Sequence, residues 1–544
     1  MKNLLATRLP TVIKLDNKAA AVIGGKNEIN FSGLAKSLWQ VLEEKNNSNN
    51  LGWPFHFTKH QHLGSFKSWQ FVGPMRLGIR SAYNLHPAQA IQYKDEDKKD
   101  REFRLLKKFD KPGIYRLDVA NSAVNSSPQI REFFKDKPSL FVELLDVFGQ
   151  SASCYKGSYA GYSNKFLSAI QEFFAKNEIK LQKQEIVVGD SIFSITPKIY
   201  ESLQLKKREE GILFIVPNFG YHIIQARDLG IKTHLLYTRK ESKFQVDVNE
   251  LEQALDENPD ISIISMTYPC NPTGSNLQED TARKMAKVIN KNKYKDQIKL
   301  VIQDIIMADI DLTSERKKSF LMSRIEEISD KVILLSGFGK SYGIAYLGIS
   351  YGLGKLVPKL FGSAEKNIDN VPNTIIQDLA AFILKNEDQF KSLENGRKVC
   401  LEKIEMFKNE VENLNNILSK KYGNNQVYVQ VYDNEIESGN VLLIDFSGLR
   451  GAKLKDYSSL ESGYDIAKFI LDELAVATVP GECFFMKPDE MLIRVSLAVE
   501  KDNIKVIFKD LGNALIKNIE NIPDNSPKFP RRQDNFVSKD KNLG

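Results

Sequence analysis

The predicted fold is decided by one stretch, KVILLSGFGKSYGIAYLGISYG, which spans Lys331 to Gly352. Its apolar run Val332–Leu335 has the length and composition of a buried strand. The glycines that follow allow the backbone to approach a ligand closely, and Lys340 stands among them with no acidic residue in the stretch. A lysine on such a turn is readily desolvated, which lowers its pKa and makes its amine nucleophilic. A solvated loop lysine is the competing interpretation.

Two upstream stretches favour the nucleophilic interpretation. TYPCNPTG, residues 267–274, follows the apolar run Ile261–Met266, and Asp304 ends the apolar strand in VIQDIIM, residues 301–307. A carboxylate at the end of a buried strand is costly without a cationic partner. The protonated ring nitrogen of pyridoxal phosphate is such a partner, and an aspartate beside it makes the ring an electron sink.

Further motifs lie downstream, namely Pro480-Gly481 and Arg494 within LIRVSLA. In the order and spacing of these motifs, roughly residues 112 to 520 of the chain resemble the class I/II aminotransferases of the fold type I pyridoxal-phosphate enzymes. The resemblance implies pyridoxal 5′-phosphate as cofactor, held by Lys340 as a Schiff base. It implies transfer of an amino group from an amino acid to a keto acid, with Lys340 moving the proton as general base and acid.

The resemblance also implies a role for each matching residue. Asp304 would keep the ring nitrogen protonated, and Asn271 would bind the ring hydroxyl oxygen and the substrate. Arg494 would hold the substrate α-carboxylate, because its planar fork suits a carboxylate bidentately. The remaining cofactor-binding predictions are Phe219 against the ring and Gly189, Asp190, Ser191 and Ser336 around the phosphate. A core phenylalanine and a simple helix cap are the competing interpretations of Phe219 and of Asp190-Ser191.

The chain departs from the family pattern at four positions. Gly348 replaces an arginine that grips the phosphate, Gly337 replaces a serine, Asp190 replaces a small hydroxyl residue, and Met307 replaces a tyrosine. We therefore predict weaker phosphate anchorage than in the family. Arg239 or Lys240 is the candidate for a replacement cation.

Alternating apolar runs and helical patterns predict an α/β fold with a mostly parallel, seven-stranded sheet covered by helices. The predicted strands are Glu185–Val188, Ile212–Val216, Thr233–Tyr237, Ile261–Met266, Leu300–Gln303, Val332–Leu335 and Leu347–Tyr351. The candidate residues fall at the strand ends, where such sheets carry their ligands. Past residue 385 or so, long helices and antiparallel strands predict an α+β small domain.

These patterns predict five segments. Residues 1–110 form an N-terminal extension of unknown role, and residues 111–160 form the N-terminal part of the small domain with active-site loops. Residues 161–385 form the large cofactor-binding domain, residues 386–522 the C-terminal small domain, and residues 523–544 a disordered tail. Tyr155 and Tyr159 resemble the family segment that reaches the neighbouring subunit's cofactor, which implies a homodimer.

The bulk composition argues against nucleic-acid binding, a membrane partner and a metal site. A net charge of +7 over 544 residues, with scattered lysines, argues against nucleic-acid binding. No run approaches the length of a transmembrane helix, so no membrane partner is expected. Four distant cysteines argue for a reducing, cytoplasmic location and against a zinc cluster. His56, His60 and His62 lack further ligands, so we predict no metal.

Two alternatives to an aminotransferase stay open at this point. The same core residues serve a decarboxylase or lyase that uses the same cofactor. A non-catalytic binding or regulatory protein could also keep this fold while its phosphate site decays, and the front segment of residues 1–110 favours that alternative.

Overall fold

The computed structural model describes residues 115–117, 162–176, 178–313, 321–342, 348–361, 371–372, 374–385, 388–423, 428–432, 436–455 and 459–523. These residues all belong to one compact unit. Several sequence predictions lie outside the described residues. They concern the extension 1–110 with its three histidines, Tyr155 and Tyr159, and nearly all of the tail.

A seven-stranded sheet forms the centre of the described fold. After the short strand β1 (Tyr115–Arg116), its strands are β2 (Ile186–Gly189), β3 (Gly211–Val216), β4 (Lys232–Tyr237), β5 (Ile261–Thr267), β6 (Leu300–Asp304), β7 (Val332–Gly337) and β8 (Ser350–Leu353). The strand order is β2-β8-β7-β6-β5-β3-β4. Only β8 runs antiparallel to its neighbours, β2 and β7. The predicted mostly parallel sheet is therefore confirmed.

Helices cover both faces of this sheet, because its strands are apolar on both sides. They are α1 (Asn164–Ala175), α2 (Ile192–Ser202), α3 (Leu205–Arg208), α4 (Gly220–Asp228), α5 (Val248–Glu257), α6 (Glu279–Ile289), α7 (Val357–Phe361) and α8 (Thr374–Lys385). On one face, Ile195 of α2 packs in one apolar cluster with Val187 and Leu335. On the other face, Phe166 of α1 packs against the Tyr351 ring at 6.4 Å between centroids. The result is a three-layer α/β arrangement.

The seventh strand begins later than the sequence predicts. Leu347–Tyr351 was the expected strand, whereas β8 spans Ser350–Leu353. Gly348 has a φ of +56°, in the left-handed region, so the chain cannot yet be extended there. The apolar run marks the right part of the chain, but the glycine sets where the strand begins.

An α+β region follows the large sheet, as predicted. Its elements are α9 (Asp388–Tyr422), β9 (Gln430–Tyr432), β10 (Val441–Asp445), β11 (Lys453–Leu454), α10 (Gly463–Leu474), β12 (Val476–Ala477), β13 (Val479–Pro480), β14 (Leu492–Ser496), α11 (Lys501–Asn518) and β15 (Ile519–Asn521). A four-stranded antiparallel sheet has the order β13-β14-β10-β9. Strand β1 pairs with β12, and β11 pairs with β15. The exact domain boundaries stay predictions.

No helix within the described ranges has both the length and the apolar character needed to cross a bilayer.

Candidate active site

Lys340 lies three residues beyond β7, at the carboxyl edge of the large sheet. Its side chain is partly buried. Burial, and after it the positive charge of Arg494, lowers the pKa of the Lys340 amine to about 8, while the charge of Asp304 opposes the shift. The structure therefore brings these three predicted residues close enough for their charges to interact.

Asp304 is the last residue of β6 and is 4% exposed. Its Oδ2 accepts a hydrogen bond from His222 Nε2 at 3.0 Å, and its Oδ1 accepts one from the Ile306 N–H at 2.9 Å. The carboxylate is thus fixed from two directions at the strand end. His222 belongs to the first turn of α4 and is itself buried.

Arg494 reaches the same edge from β14 of the smaller sheet and is only 1% exposed. Its Nη1 donates to Asn271 Oδ1 at 3.2 Å, so the two predicted substrate-binding residues are in contact. The guanidinium also lies 5.2 Å from the centroid of the Phe484 ring. A buried guanidinium held by an amide oxygen and an aromatic face is ready to receive an anion.

Phe219 precedes α4 and belongs to an aromatic group beside the aspartate. Its ring centroid lies 5.9 Å from that of His222 and 5.7 Å from that of Phe193. The structure therefore places Phe219 next to the Asp304 partner, as its predicted role requires, while the side chain stays only partly buried.

The predicted phosphate seat lies at the junction of β2 and α2. Gly189 ends β2, and Ser191 caps α2 by accepting from the Ser194 N–H at 3.2 Å. Asp190 is exposed, and its Oδ1 accepts from the Ser191 hydroxyl. Gly348 is close by, since a Cβ at that position would lie 3.7 Å from the Asp190 carbonyl oxygen. Gly348 therefore lies beside the residue that precedes the α2 cap, near the helix end whose free N–H groups and dipole favour an anion.

Ser336 is the predicted site residue that the structure does not bring to this cluster. It pairs in register with Tyr351, and the Ser336 and Tyr351 hydroxyls are hydrogen-bonded to each other. Tyr351 packs against Phe166 of α1, on the face of the sheet opposite α2. The side chain of Ser336 consequently points away from the α2 N-terminus.

The two replacement cations expected from the sequence are engaged elsewhere. Arg239 forms an exposed ion pair with Glu250. Lys240 Nζ donates to Asp445 Oδ2 at 2.6 Å, and Asp445 is fully buried at the end of β10. Both cations therefore have anionic partners of their own, and neither is placed to act as the missing phosphate arginine.

The donor set of this cluster fits pyridoxal phosphate. Lys340 provides an amine of lowered pKa, and Asp304 provides a fixed carboxylate for a ring nitrogen. Asn271 and Arg494 provide an amide and a buried cation, and the α2 N-terminus provides backbone N–H groups for an anion. Each polar part of the cofactor thus has a chemically matching group within the cluster.

Sequence reasoning missed His222. The residue stands three positions after Phe219 in NFGYH, which at helical spacing puts it on the same side of α4. That spacing was a usable signal. Its partner Asp304 lies 82 positions away, and only the neighbouring positions of the sheet and α4 bring the two together.

Comparisons with known proteins agree with this geometry. The sequence matches the family described as Aminotransferase class I and II over residues 133–511. It is 23% identical over 356 residues to an aspartate aminotransferase of Sulfurisphaera tokodaii, covering 64% of this chain and 80% of that protein. It is 26% identical over 310 residues to a histidinol-phosphate aminotransferase of Pelagibacter ubique, covering 55% of this chain and 75% of that one.

Solved structures share the fold. The aspartate aminotransferase from Thermus thermophilus with maleate has a TM-score of 0.59 at 16% identity and covers 80% of this chain and 99% of its own. The aromatic aminotransferase from Pyrococcus horikoshii has a TM-score of 0.56 at 19% identity, with 76% and 99% covered. Because the family match spans most of the sequence, the chain belongs to the aminotransferase class I and II family, whose members depend on pyridoxal 5′-phosphate.

Proposed function

We propose that this chain is a pyridoxal-phosphate-dependent aminotransferase that transfers an amino group from an amino acid to a keto acid through a Lys340 Schiff base. The observation that carries this proposal is the cluster of Lys340, Asp304 and Arg494, which come from the turn after β7, the end of β6 and the interior of β14. Membership of the aminotransferase family supplies the reaction class.

Each residue of the cluster has a proposed part. Asp304, held by His222, would bind the ring nitrogen, and Phe219 would lie against the ring. Asn271 would bind the ring hydroxyl oxygen. The phosphate would lie at the α2 N-terminus, beside Gly189, Asp190 and Ser191. The Ser336 hydroxyl is hydrogen-bonded to Tyr351. Ser336 would therefore not bind the phosphate directly and would contribute only as a residue of strand β7.

The bound cofactor supplies a carbonyl that reacts with amines and a ring that withdraws electrons from the substrate α-carbon. Lys340 Nζ, with a pKa of about 8, is partly neutral near pH 7.5, so it can take a proton and return it. Arg494 stays charged and holds the α-carboxylate bidentately. Since Asn271 and Phe484 fix the guanidinium, the carboxylate would meet a preformed site.

Borohydride reduction tests the attachment site. The protein is loaded with pyridoxal phosphate, reduced, digested and mapped, and the modification is expected on Lys340. Lys340→Arg should abolish the modification. Lys331→Arg is the matched control, because Lys331 is a second partly buried lysine whose pKa is lowered by burial. A modification on any other lysine contradicts the assignment.

A substrate screen separates transamination from the alternative reactions. Aspartate is the first amino donor to test, because the Sulfurisphaera and Thermus relatives are aspartate aminotransferases. Keto-acid-dependent amino transfer supports the proposal, whereas carbon dioxide release without an acceptor favours a decarboxylase. A protein without the near-ultraviolet or visible absorbance of bound cofactor would favour the non-catalytic alternative.

We also propose a homodimer, a cytoplasmic location and the domain boundaries predicted above. The family resemblance of the stretch around Tyr155 and Tyr159 supports the dimer. The unpaired thiols of Cys270, Cys400 and Cys483 support a reducing compartment. Pairing of β1 with β12 supports the assignment of residues 111–160 to the small domain.

A further inference from the structure

One hydroxyl group near the phosphate seat has no role in the account above. Ser350 is the first residue of β8, the antiparallel strand. Its register places it opposite Gly337 of β7 and also opposite Gly189 of β2. Gly337 is the position at which the resembling family carries a serine, so the missing side chain and Ser350 are direct cross-strand neighbours.

Ser350 occupies the space that a side chain at position 337 would need. A Cβ atom built on Gly337 would lie 2.5 Å from Ser350 Oγ and 3.0 Å from the Ile349 carbonyl oxygen. Real Cβ atoms essentially never approach another atom to 2.5 Å, so a side chain at position 337 would force the Ser350 hydroxyl to move. The glycine at 337 and the serine at 350 therefore form a matched pair.

The Ser350 side chain faces α2. Directly opposite residues of neighbouring strands share one face of a sheet. A Cβ on Gly189, in the same row, would lie 2.8 Å from Ile195 Cγ1 and 2.9 Å from Ser194 Oγ, both in the first turns of α2. The adjacent row, Ser336 and Tyr351, faces α1 instead.

The Ser350 hydroxyl is available to a ligand on that face. The residue is 7% exposed. Among the side-chain hydrogen bonds of the described residues, none involves the Ser350 hydroxyl. A hydroxyl group beside the α2 N-terminus can donate to an anion that also receives the helix N–H groups.

We propose that Ser350 binds the cofactor phosphate through its hydroxyl and replaces, from the neighbouring strand, the serine that Gly337 lacks. This inference rests on the proposed function. The phosphate would then have a hydrogen-bond donor in β8. This donor lies opposite Gly189 on one side and opposite Gly337, the residue before the turn that carries Lys340, on the other.

The test compares cofactor affinities of the apoprotein. Ser350→Ala should weaken pyridoxal phosphate binding about ten- to a hundredfold, the range for a hydrogen bond to a charged group. Binding of unphosphorylated pyridoxal should change less than twofold, because it has no phosphate. The matched control is Ser262→Ala, a buried serine at the far end of β5, which should leave both dissociation constants unchanged.

An exchange variant keeps the test decisive if Ser350→Ala affects folding. The double variant Gly337→Ser/Ser350→Gly moves the hydroxyl back to β7. It should recover most of the preference for pyridoxal phosphate over unphosphorylated pyridoxal. Gly337→Ser alone should lower the melting temperature, because the two side chains collide. Equal losses for pyridoxal phosphate and pyridoxal in Ser350→Ala overturn the inference alone. A wild-type protein that binds neither compound overturns the proposed function as well.

Discussion

Burial gives Lys340 an amine that titrates near physiological pH. With a pKa of about 8, roughly a quarter of this amine is neutral at pH 7.5, against about 0.1% for an ordinary lysine. The increase in neutral amine is therefore more than a hundredfold. Reaction with a carbonyl needs the neutral form, so the position of Lys340 contributes directly to its proposed attachment role.

The lowered pKa predicts a pH dependence of stability. Because the folded pKa of about 8 lies below the unfolded value of 10.5, the unfolded state binds more protons between these values. Apoprotein stability should therefore rise through this window relative to Lys340→Met, by about 3 kcal/mol. Urea unfolding of both proteins at pH 7 and pH 11 measures this difference. A constant difference would show that Lys340 titrates normally.

Gly348 allows a direct test of phosphate anchorage. A Cβ there would make only an ordinary contact with the Asp190 carbonyl oxygen, but the φ of +56° strains any other residue by about 1–2 kcal/mol. An arginine would gain about 1.5–3 kcal/mol from a charged hydrogen bond, so Gly348→Arg should tighten pyridoxal phosphate binding by up to about tenfold. Gly348→Ala carries the strain without the charge and should bind no better than the wild type. Equal affinities for the two variants contradict this prediction.

Single residues were predictable where a local motif identified them. Asp304 ends the apolar strand β6 and Arg494 lies inside β14, while Lys340 and Asn271 follow the apolar strands β7 and β5 by three and four residues. Ser336 was placed near the phosphate because it is adjacent to Gly337 in the sequence. Successive residues of a strand point to opposite faces, so this adjacency put its side chain on the wrong side.

Helix α10 shows how an element depends on a buried carboxyl group outside it. Glu482 is 6% exposed, and its Oε1 accepts from the Tyr464 N–H in the first turn of α10 at 3.0 Å. Burial raises the pKa of Glu482 to about 8, while backbone N–H groups, among them that of Tyr464, oppose the shift. The group that caps the helix is therefore mostly protonated at neutral pH.

This arrangement predicts a second pH effect of opposite sign. The folded state of Glu482 binds more protons than the unfolded state between pH 4.5 and about 8, so ionisation costs stability as pH rises through that window. Glu482→Gln keeps the acceptor and removes the titration. It should therefore gain stability over the wild type between pH 5 and pH 8, on the order of 3–5 kcal/mol. Denaturant unfolding at these pH values measures the gain. Parallel pH profiles for the two proteins contradict it.

Elements were predictable where the apolar run matched the strand. Strands β3 to β7 lie within two residues of their expected ends, and all of them except the edge strand β4 are buried along their whole length. The direction of β8 was not predictable from its own composition. It depends on pairing with β2 and β7, whose residues are distant in sequence.

At the scale of the whole molecule, we predict a homodimer with shared active sites. Tyr162 is buried within its own protomer, so the prediction rests on Tyr155 and Tyr159. Light scattering of the cofactor-loaded protein should give twice the chain mass of 61.8 kDa. Mixing Tyr155→Phe/Tyr159→Phe chains with Lys340→Ala chains should restore activity in hybrid dimers, because one of their two sites is complete. A monomer that binds cofactor and turns over contradicts the prediction.

The place of β2 in the sheet has a consequence for synthesis of the protein. β2 is the first of the seven strands to leave the ribosome, and within the described sheet its one partner is β8, the last. Strand β8 is complete only 164 residues after the end of β2 (353 minus 189). At about 5–20 residues per second, the nascent chain carries this apolar strand unpaired for about 8–30 seconds. During that interval, β2 is a segment that a chaperone would need to shield.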